Sequence, residues 1–147
     1  MKIRVRVGTS CIAGQGLFAE QDIRQDTKII RYIGEKIPHA ESDRRLDTGH
    51  VYIFGLNERS ALDGDTPQNT ARYINHACDP NCHTAQCGTT IWIVAIRAIA
   101  AGEERTYHYG YEVNDEPAEP CYCGAPTCCG YILGAQSWDR IQQTAPR

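Results

Sequence analysis

Apolar and polar positions along this chain alternate in short runs and rarely hold the spacing of a buried helix face. Ile3, Val5 and Val7 alternate with Arg4 and Arg6, as in a half-buried strand. Lys28-Ile29-Ile30-Arg31-Tyr32-Ile33 reads as a second strand, ended by Gly34. Val51-Tyr52-Ile53-Phe54-Gly55-Leu56 and Ile91-Trp92-Ile93-Val94-Ala95-Ile96 read as two more, the latter apolar enough to be buried. From Glu104 onward, Tyr107, Tyr109 and Tyr111 fall at every second position, so one strand face is expected to carry all three rings. Between His39 and Leu46 lies the one stretch of the first half that reads as a short helix. Gly, Pro, Asn and Asp punctuate the rest. The pattern predicts a mainly β domain over residues 1–111, built of several small sheets.

A composition break follows. Residues 112–120 hold Glu112, Asp115, Glu116, Pro117, Glu119 and Pro120 and read as an exposed acidic linker. A cysteine-rich annex over 121–134 and a tail over 135–147 complete the predicted organisation. At 147 residues, 41% hydrophobic and 22% charged, the chain can bury one real core and is not globally disordered. Its formal net charge of −3 argues against a nucleic-acid-coating protein, so no direct nucleic-acid binding is expected. No apolar run reaches the ~20 residues of a membrane helix. The first residues lack the apolar core of a signal peptide. A soluble intracellular protein, cytoplasmic or nuclear, is the expectation.

Cysteine changes the picture most. Of 8 cysteines, only Cys11 lies in the first half; Cys78, Cys82, Cys87, Cys121, Cys123, Cys128 and Cys129 follow. Without an export signal these thiols stay reduced, and clustered reduced thiols point to metal or chemistry. Cys121-Tyr122-Cys123-Gly124-Ala125-Pro126-Thr127-Cys128 is C-x-C-x4-C, with a Gly-Pro turn returning a third sulfur toward the first two. A closed structural zinc site takes four soft ligands. Three come from the annex, and Cys78 or Cys82, flanking Asp79-Pro80-Asn81, are the outside candidates for the fourth.

Two other segments carry candidate chemistry. Gly14-Gln15-Gly16 before Leu17-Phe18-Ala19 lets backbone approach a ligand closely, because glycine has no Cβ. Alone, such a G-x-G is usually a turn. Ala71-Arg72-Tyr73-Ile74-Asn75-His76-Ala77-Cys78-Asp79-Pro80-Asn81 packs two Asn, a His and an Arg around a proline turn, too polar for an ordinary core segment.

Together these pieces resemble the SET-domain protein lysine methyltransferases. Gly14-Gln15-Gly16-Leu17-Phe18-Ala19 is similar to the family's cofactor loop, and Tyr32-Ile33-Gly34-Glu35 to its Y-x-G-E strand end. Tyr52-Ile53-Phe54 and Leu62-Asp63 match the strands that follow. Asn69 to Asn81 is similar to N-x-A-R-F-x-N-H-S-C-x-P-N, and Gly102 to Tyr109 to G-E-E-L-T-Y-D-Y. Cys121 to Gly130 looks like the post-SET zinc module. The resemblance runs over roughly residues 3 to 134.

The resemblance implies a SET-type fold of several small β-sheets around a pseudoknot, with a small C-terminal zinc-binding annex. It implies one structural zinc ion held by Cys78, Cys121, Cys123 and Cys128. It also implies S-adenosylmethionine as methyl donor, held by backbone of Ala13, Gly14, Gln15 and Gly16 with Tyr52, Arg72, Asn75 and His76. Tyr109 maps onto the catalytic tyrosine, Tyr107 onto the position that limits how many methyl groups fit, and Tyr32 onto the channel wall. With tyrosine at 107, mono- or dimethylation is expected. The implied partner is a Lys/Arg-rich protein or peptide, histone-like in kind, lying as an added strand. Six acidic residues against one Arg in 101–120 suit such a partner. The competing expectation is a catalytically weak module that only binds a lysine-containing partner. His108 stands where the family has Asp, Arg105 where it has an apolar residue, Cys129 for Arg, Gln68 for Gly and Ala77 for Ser.

Overall fold

In the computed structural model, which describes residues 2–49, 52–109 and 120–132, short strands account for most regular structure. They are β1 (Val5–Thr9), β2 (Gln15–Ala19), β3 (Lys28–Tyr32), β4 (Glu35–Pro38), β5 (Ile53–Gly55), β6 (Ser60–Asp63), β7 (Asn75–His76), β8 (Cys82–Cys87), β9 (Thr90–Ala95) and β10 (Glu104–Tyr107). Helix α1 (His39–Asp47) and a 3-10 turn at Thr70–Tyr73 complete the set. The protein is thus mainly β with more than one sheet, as expected. Among the described residues no helix is long and apolar enough to cross a membrane. The predicted linker over 112–120 apart from Pro120, Tyr111 and the tail over 135–147 lie outside the described residues.

Strand order in the larger sheet is β1-β2-β10-β8-β9-β3, with β7 beside β10; the smaller sheet runs β4-β6-β5. The short strand β10 is the hub. It pairs antiparallel with β2 through Glu104 and Arg105, and parallel with β7 and β8 through Thr106 and Tyr107. The glycine loop before β2, the Asn-His segment of β7 and the tyrosines of β10 therefore meet, although Asn75 lies 60 residues after Gln15 and Tyr109 a further 33 after His76. Leu17, Ile74, Ile91, Ile93 and Ile99 are essentially inaccessible and fill the space beneath.

Most predicted elements appear near their expected places, with informative shifts. β1 starts at Val5 rather than Ile3 and leaves Val7 exposed, because it is an edge strand paired only with β2. β10 stops at Tyr107, short of the predicted run to Tyr111: the next available amide, Tyr109 N–H, turns out of the ladder to donate to the His76 ring. The strand β8 had no pattern of its own, with one buried residue in six, and exists because β9 pairs along its whole length.

Helix α1 positions the second sheet. Glu41 lies in its first turn and Arg44 and Arg45 in its last, matching the helix dipole. Arg45 reaches Glu41 at 2.8 Å, Glu35 on β4 at 3.0 Å and the buried Asp63 on β6 at 2.7 Å. Those two arginines hold the Glu41 carboxyl down at about 2, chiefly by direct hydrogen bonds from Arg44 and Arg45.

Candidate active site and metal centre

The loop before β2 is held from below by one cluster of polar side chains. Asn75 Nδ2 lies 3.1 Å from the carbonyl of Ala13, 3.0 Å from that of Gln15, 3.1 Å from Ser10 Oγ and 2.9 Å from Glu104 Oε1. An amide has two hydrogens, so it shares them among four acceptors. Ser10 Oγ donates to the Glu104 carboxylate at 2.8 Å and accepts from the Ile12 amide at 2.9 Å. The two glycines are needed for different reasons. Gly14 has φ +44 with open space where a side chain would stand, so its demand is conformational. Gly16 is required by contact, since a Cβ there would run into the Glu104 carboxylate.

Beside this loop, Tyr32, Tyr52, Ile53, Phe54, Gly55, Arg72, Tyr107 and Tyr109 line a cavity of about 300 Å³. The hydroxyl of Tyr109 donates to the Ile74 carbonyl at 2.6 Å, and that of Tyr32 to the Tyr52 carbonyl at 2.9 Å. Ring centroids are 4.9 Å apart for Tyr107 and Tyr109, and 4.6 Å for Tyr32 and Phe54. The expected shared face of Tyr107 and Tyr109 thus survives the early end of the strand. Arg72 donates to Tyr73 Oη at 2.8 Å and pairs with Asp65 at 3.2 Å, yet among the described residues its buried Nε has no partner. An unpaired N–H on the wall of an aromatic cavity is a position awaiting an acceptor.

His76 sits behind the cavity, 2% exposed. Its Nδ1 accepts the Tyr109 backbone N–H at 3.1 Å, and His108 stacks edge-on at 4.8 Å. Burial holds the His76 imidazole down at about 4, with the neighbouring His108 adding to the effect.

The thiols of Cys78, Cys121, Cys123 and Cys128 lie within 4.8 Å of one another, and Cys78 and Cys121 Sγ are 3.9 Å apart. A zinc tetrahedron with bonds of about 2.3 Å spaces its sulfurs by about 3.8 Å, so the donor set fits a closed structural site. The structure brings together the core cysteine and the three annex cysteines, and Cys82 is not in the group. Cys82 is fully buried and donates to its neighbour Asn81. The annex turns back through Cys128 N–H on the Ala125 carbonyl and Cys121 N–H on the Gly130 carbonyl. Burial pushes the Cys78 thiol up and Cys121 up to about 11. At Cys123 burial also opposes the thiolate, but the Cys78 and Ala125 amides and the adjoining thiols outweigh it and bring the group to about 7.

Sequence reasoning missed several residues here. Glu104 and Ser10 anchor the glycine loop, Phe54 completes the aromatic wall, and the fully buried Asn69 joins Ile33 N–H to the Gly64 carbonyl. Ser10 and Glu104 are 94 residues apart and Asn69 is 36 from Ile33, so no local spacing announces them. Phe54 alone had a signal, its place two residues after Tyr52 on one strand face.

A SET-domain family model matches residues 14–110. An H3 lysine-36-specific histone-lysine N-methyltransferase of Aspergillus fumigatus is 36% identical over 86% of this chain and 14% of its own length. The histone-lysine N-methyltransferase trr of Drosophila melanogaster is 40% identical over 84% of this chain and 6% of its own. An H3 lysine-4-specific enzyme of Saccharomyces cerevisiae is 38% identical over 87% and 13%. Among solved structures, a humanized mutant of the Chaetomium thermophilum Polycomb Repressive Complex 2 bound to an inhibitor aligns with TM-score 0.67 and 35% identity, over 75% of this chain and 15% of that one. The chain therefore spans about a seventh or less of these relatives. With its glycine loop, Asn-His segment and tyrosines gathered around one short strand, and a family match across all three, the chain belongs to the SET-domain family.

Proposed function

We propose that this chain is a protein-lysine N-methyltransferase that moves a methyl group from S-adenosylmethionine to a lysine side chain, making mono- and dimethyl products. The observation that carries the reading is the tyrosine-walled cavity, with the Tyr109 hydroxyl fixed on the Ile74 carbonyl one residue from Asn75. S-adenosylmethionine supplies a methyl group already activated on a sulfonium, so the protein's task is alignment and desolvation. The bare backbone at Gly14, the Ala13 and Gln15 carbonyls fixed by Asn75, and the unpaired Arg72 Nε are the groups that would hold it, with Tyr52 and the Asn75–His76 backbone beside them.

A lysine amine must be neutral to attack, and its ordinary value is about 10.4. The apolar walls of Tyr32, Phe54 and Tyr107 disfavour the charged form, and the tyrosine oxygens orient the neutral one. In this reading Tyr109 and Tyr107 touch the reacting amine. The Tyr107 hydroxyl takes space that a further methyl group needs.

The substrate is a lysine on a Lys/Arg-rich segment, histone-like in kind, as the names of the relatives state for H3 lysine 4 and lysine 36. Such a substrate places the work at chromatin or an equivalent basic protein. β5 is an edge of the smaller sheet and carries Phe54 of the cavity wall, so a substrate strand can add there. One zinc ion, when bound to Cys78, Cys121, Cys123 and Cys128, closes the annex of 121–134 onto the core. The test is methyl transfer from labelled donor to a lysine-peptide array, with Tyr109→Phe alongside. Transfer that Tyr109→Phe loses while peptide binding persists supports the enzyme. Binding without transfer in the wild-type chain overturns it in favour of a lysine-binding module.

A further inference from the structure

The His76 ring has contacts that cofactor binding does not explain. It is 2% exposed and is not among the side chains lining the tyrosine cavity. Its Nδ1 accepts the Tyr109 amide at 3.1 Å, so Nδ1 offers a lone pair and the neutral ring carries its proton on Nε2. That Nε2 lies 3.6 Å from the Sγ of Cys78, within reach of an N–H···S bond. One imidazole therefore touches a sulfur of the four-cysteine cluster on one edge and the backbone of Tyr109 on the other.

We infer that His76 is a positioning residue that couples the metal clasp to Tyr109, its Nε2–H donating to the Cys78 sulfur while its Nδ1 holds the Tyr109 amide. The inference rests on the zinc and methyl-transfer reading above and adds a link between them. A thiolate bound to zinc is a stronger acceptor than a thiol, so the Nε2–H bond is charge-assisted when the metal is present. The ring is further fixed by edge-on contacts with His108 at 4.8 Å and Tyr109 at 5.3 Å. Tyr109 itself is held by its amide on His76 and its hydroxyl on the Ile74 carbonyl, among other contacts. Removing zinc weakens the sulfur acceptor, frees the ring to turn and loosens one of those contacts. Metal occupancy then acts on the rate of transfer as well as on the annex.

Two substitutions separate the edges of the ring. His76→Asn keeps an oxygen near the Nδ1 position but cannot reach the sulfur, whereas His76→Gln keeps a donor near the Nε2 position but offers Tyr109 no acceptor. In competition with a colorimetric chelator, His76→Asn is expected to hold zinc at least about tenfold more weakly than the wild type, and His76→Gln within about threefold. In cadmium-substituted protein the metal resonance shifts for Asn and stays for Gln. His76→Gln lowers kcat at least about tenfold with peptide KM within about twofold, the split expected of a misplaced Tyr109. Equal zinc retention in the two variants, or no loss in either, overturns the coupling. For variants that do not fold, nitrogen-labelled histidine in the wild-type chain decides: a proton on Nε2 supports the inference and one on Nδ1 overturns it. The underlying reading fails by a separate signature, a wild-type chain that binds no zinc or transfers no methyl group.

Discussion

Arg105→Leu is expected to stabilise the protein, against the usual outcome of core substitutions. Arg105 is 0% exposed, in the middle of β10. One of its nitrogens lies 3.5 Å from the Arg4 carbonyl, while Nε and Nη1 have no partner among the described residues. Among the described residues no carboxylate pairs with it. Burial brings its guanidinium down from 12.5 to about 10, and outweighs an opposing effect from the neighbouring Cys82. At 1.36 kcal/mol per unit, that difference corresponds to a penalty of about 3 kcal/mol for keeping the charge in the fold. The folded value is depressed for a base, so the penalty is complete at any pH below about 10 and is relieved only as pH climbs toward 12.5. At neutral pH the whole cost operates.

Leucine removes that cost, but it is shorter and leaves a gap. A void of roughly 30 Å³ at 24 cal/mol per Å³ costs about 0.7 kcal/mol. The net gain is about 2 kcal/mol, or roughly 4–8 °C in Tm for a chain of this size. Urea unfolding followed by circular dichroism reads it as a higher midpoint at unchanged slope. Arg105→Met, which fills more of the space, is expected to gain at least as much. Loss of 1 kcal/mol or more in both variants would show that the guanidinium has a real partner, and the reasoning from its unpaired nitrogens would be wrong.

Tyr107→Phe removes one hydroxyl from the cavity wall and is expected to shift products toward trimethyllysine by mass spectrometry; efficient trimethylation by the wild type contradicts the reading. Gly16→Ala drives a Cβ into the Glu104 carboxylate and displaces the glycine loop, so the donor's Kd is expected to rise at least about tenfold in a calorimetric titration, equivalent to about 1.4 kcal/mol. An unchanged Kd separates that loop from the donor site. Zinc affinity is expected to rise with pH, because burial keeps Cys78 and Cys121 protonated at neutrality and the metal must displace both protons. Each displaced proton is worth about tenfold per pH unit, so these two alone give at least about a hundredfold per unit across roughly pH 6–7.5, and a slope of one proton or fewer means that one of these thiols is not a ligand.

What could be read from the chain was whatever contiguous spacing encodes. The C-x-C-x4-C turn, the two glycines, the Asn-His segment and the alternation at Tyr107 and Tyr109 each lie within ten residues, and the structure assembles them around β10. What escaped has its partner across the fold. Ser10 and Glu104 are 94 residues apart, and Tyr109 reaches back 35 residues to Ile74. Strand β8 escaped for the same reason, since its order comes from β9 and not from its own side chains. The His76 ring combines the two cases. Its neighbour Cys78 is two positions away and its other contact, Tyr109, is 33. Spacing therefore shows a histidine beside a cysteine, and only the parallel pairing of β7 with β10 turns that pair toward Tyr109. Tyrosine placement is thus a property of the sheet, and substitutions that weaken the β7–β10 pairing are equivalent in kind to substitutions at Tyr109 itself.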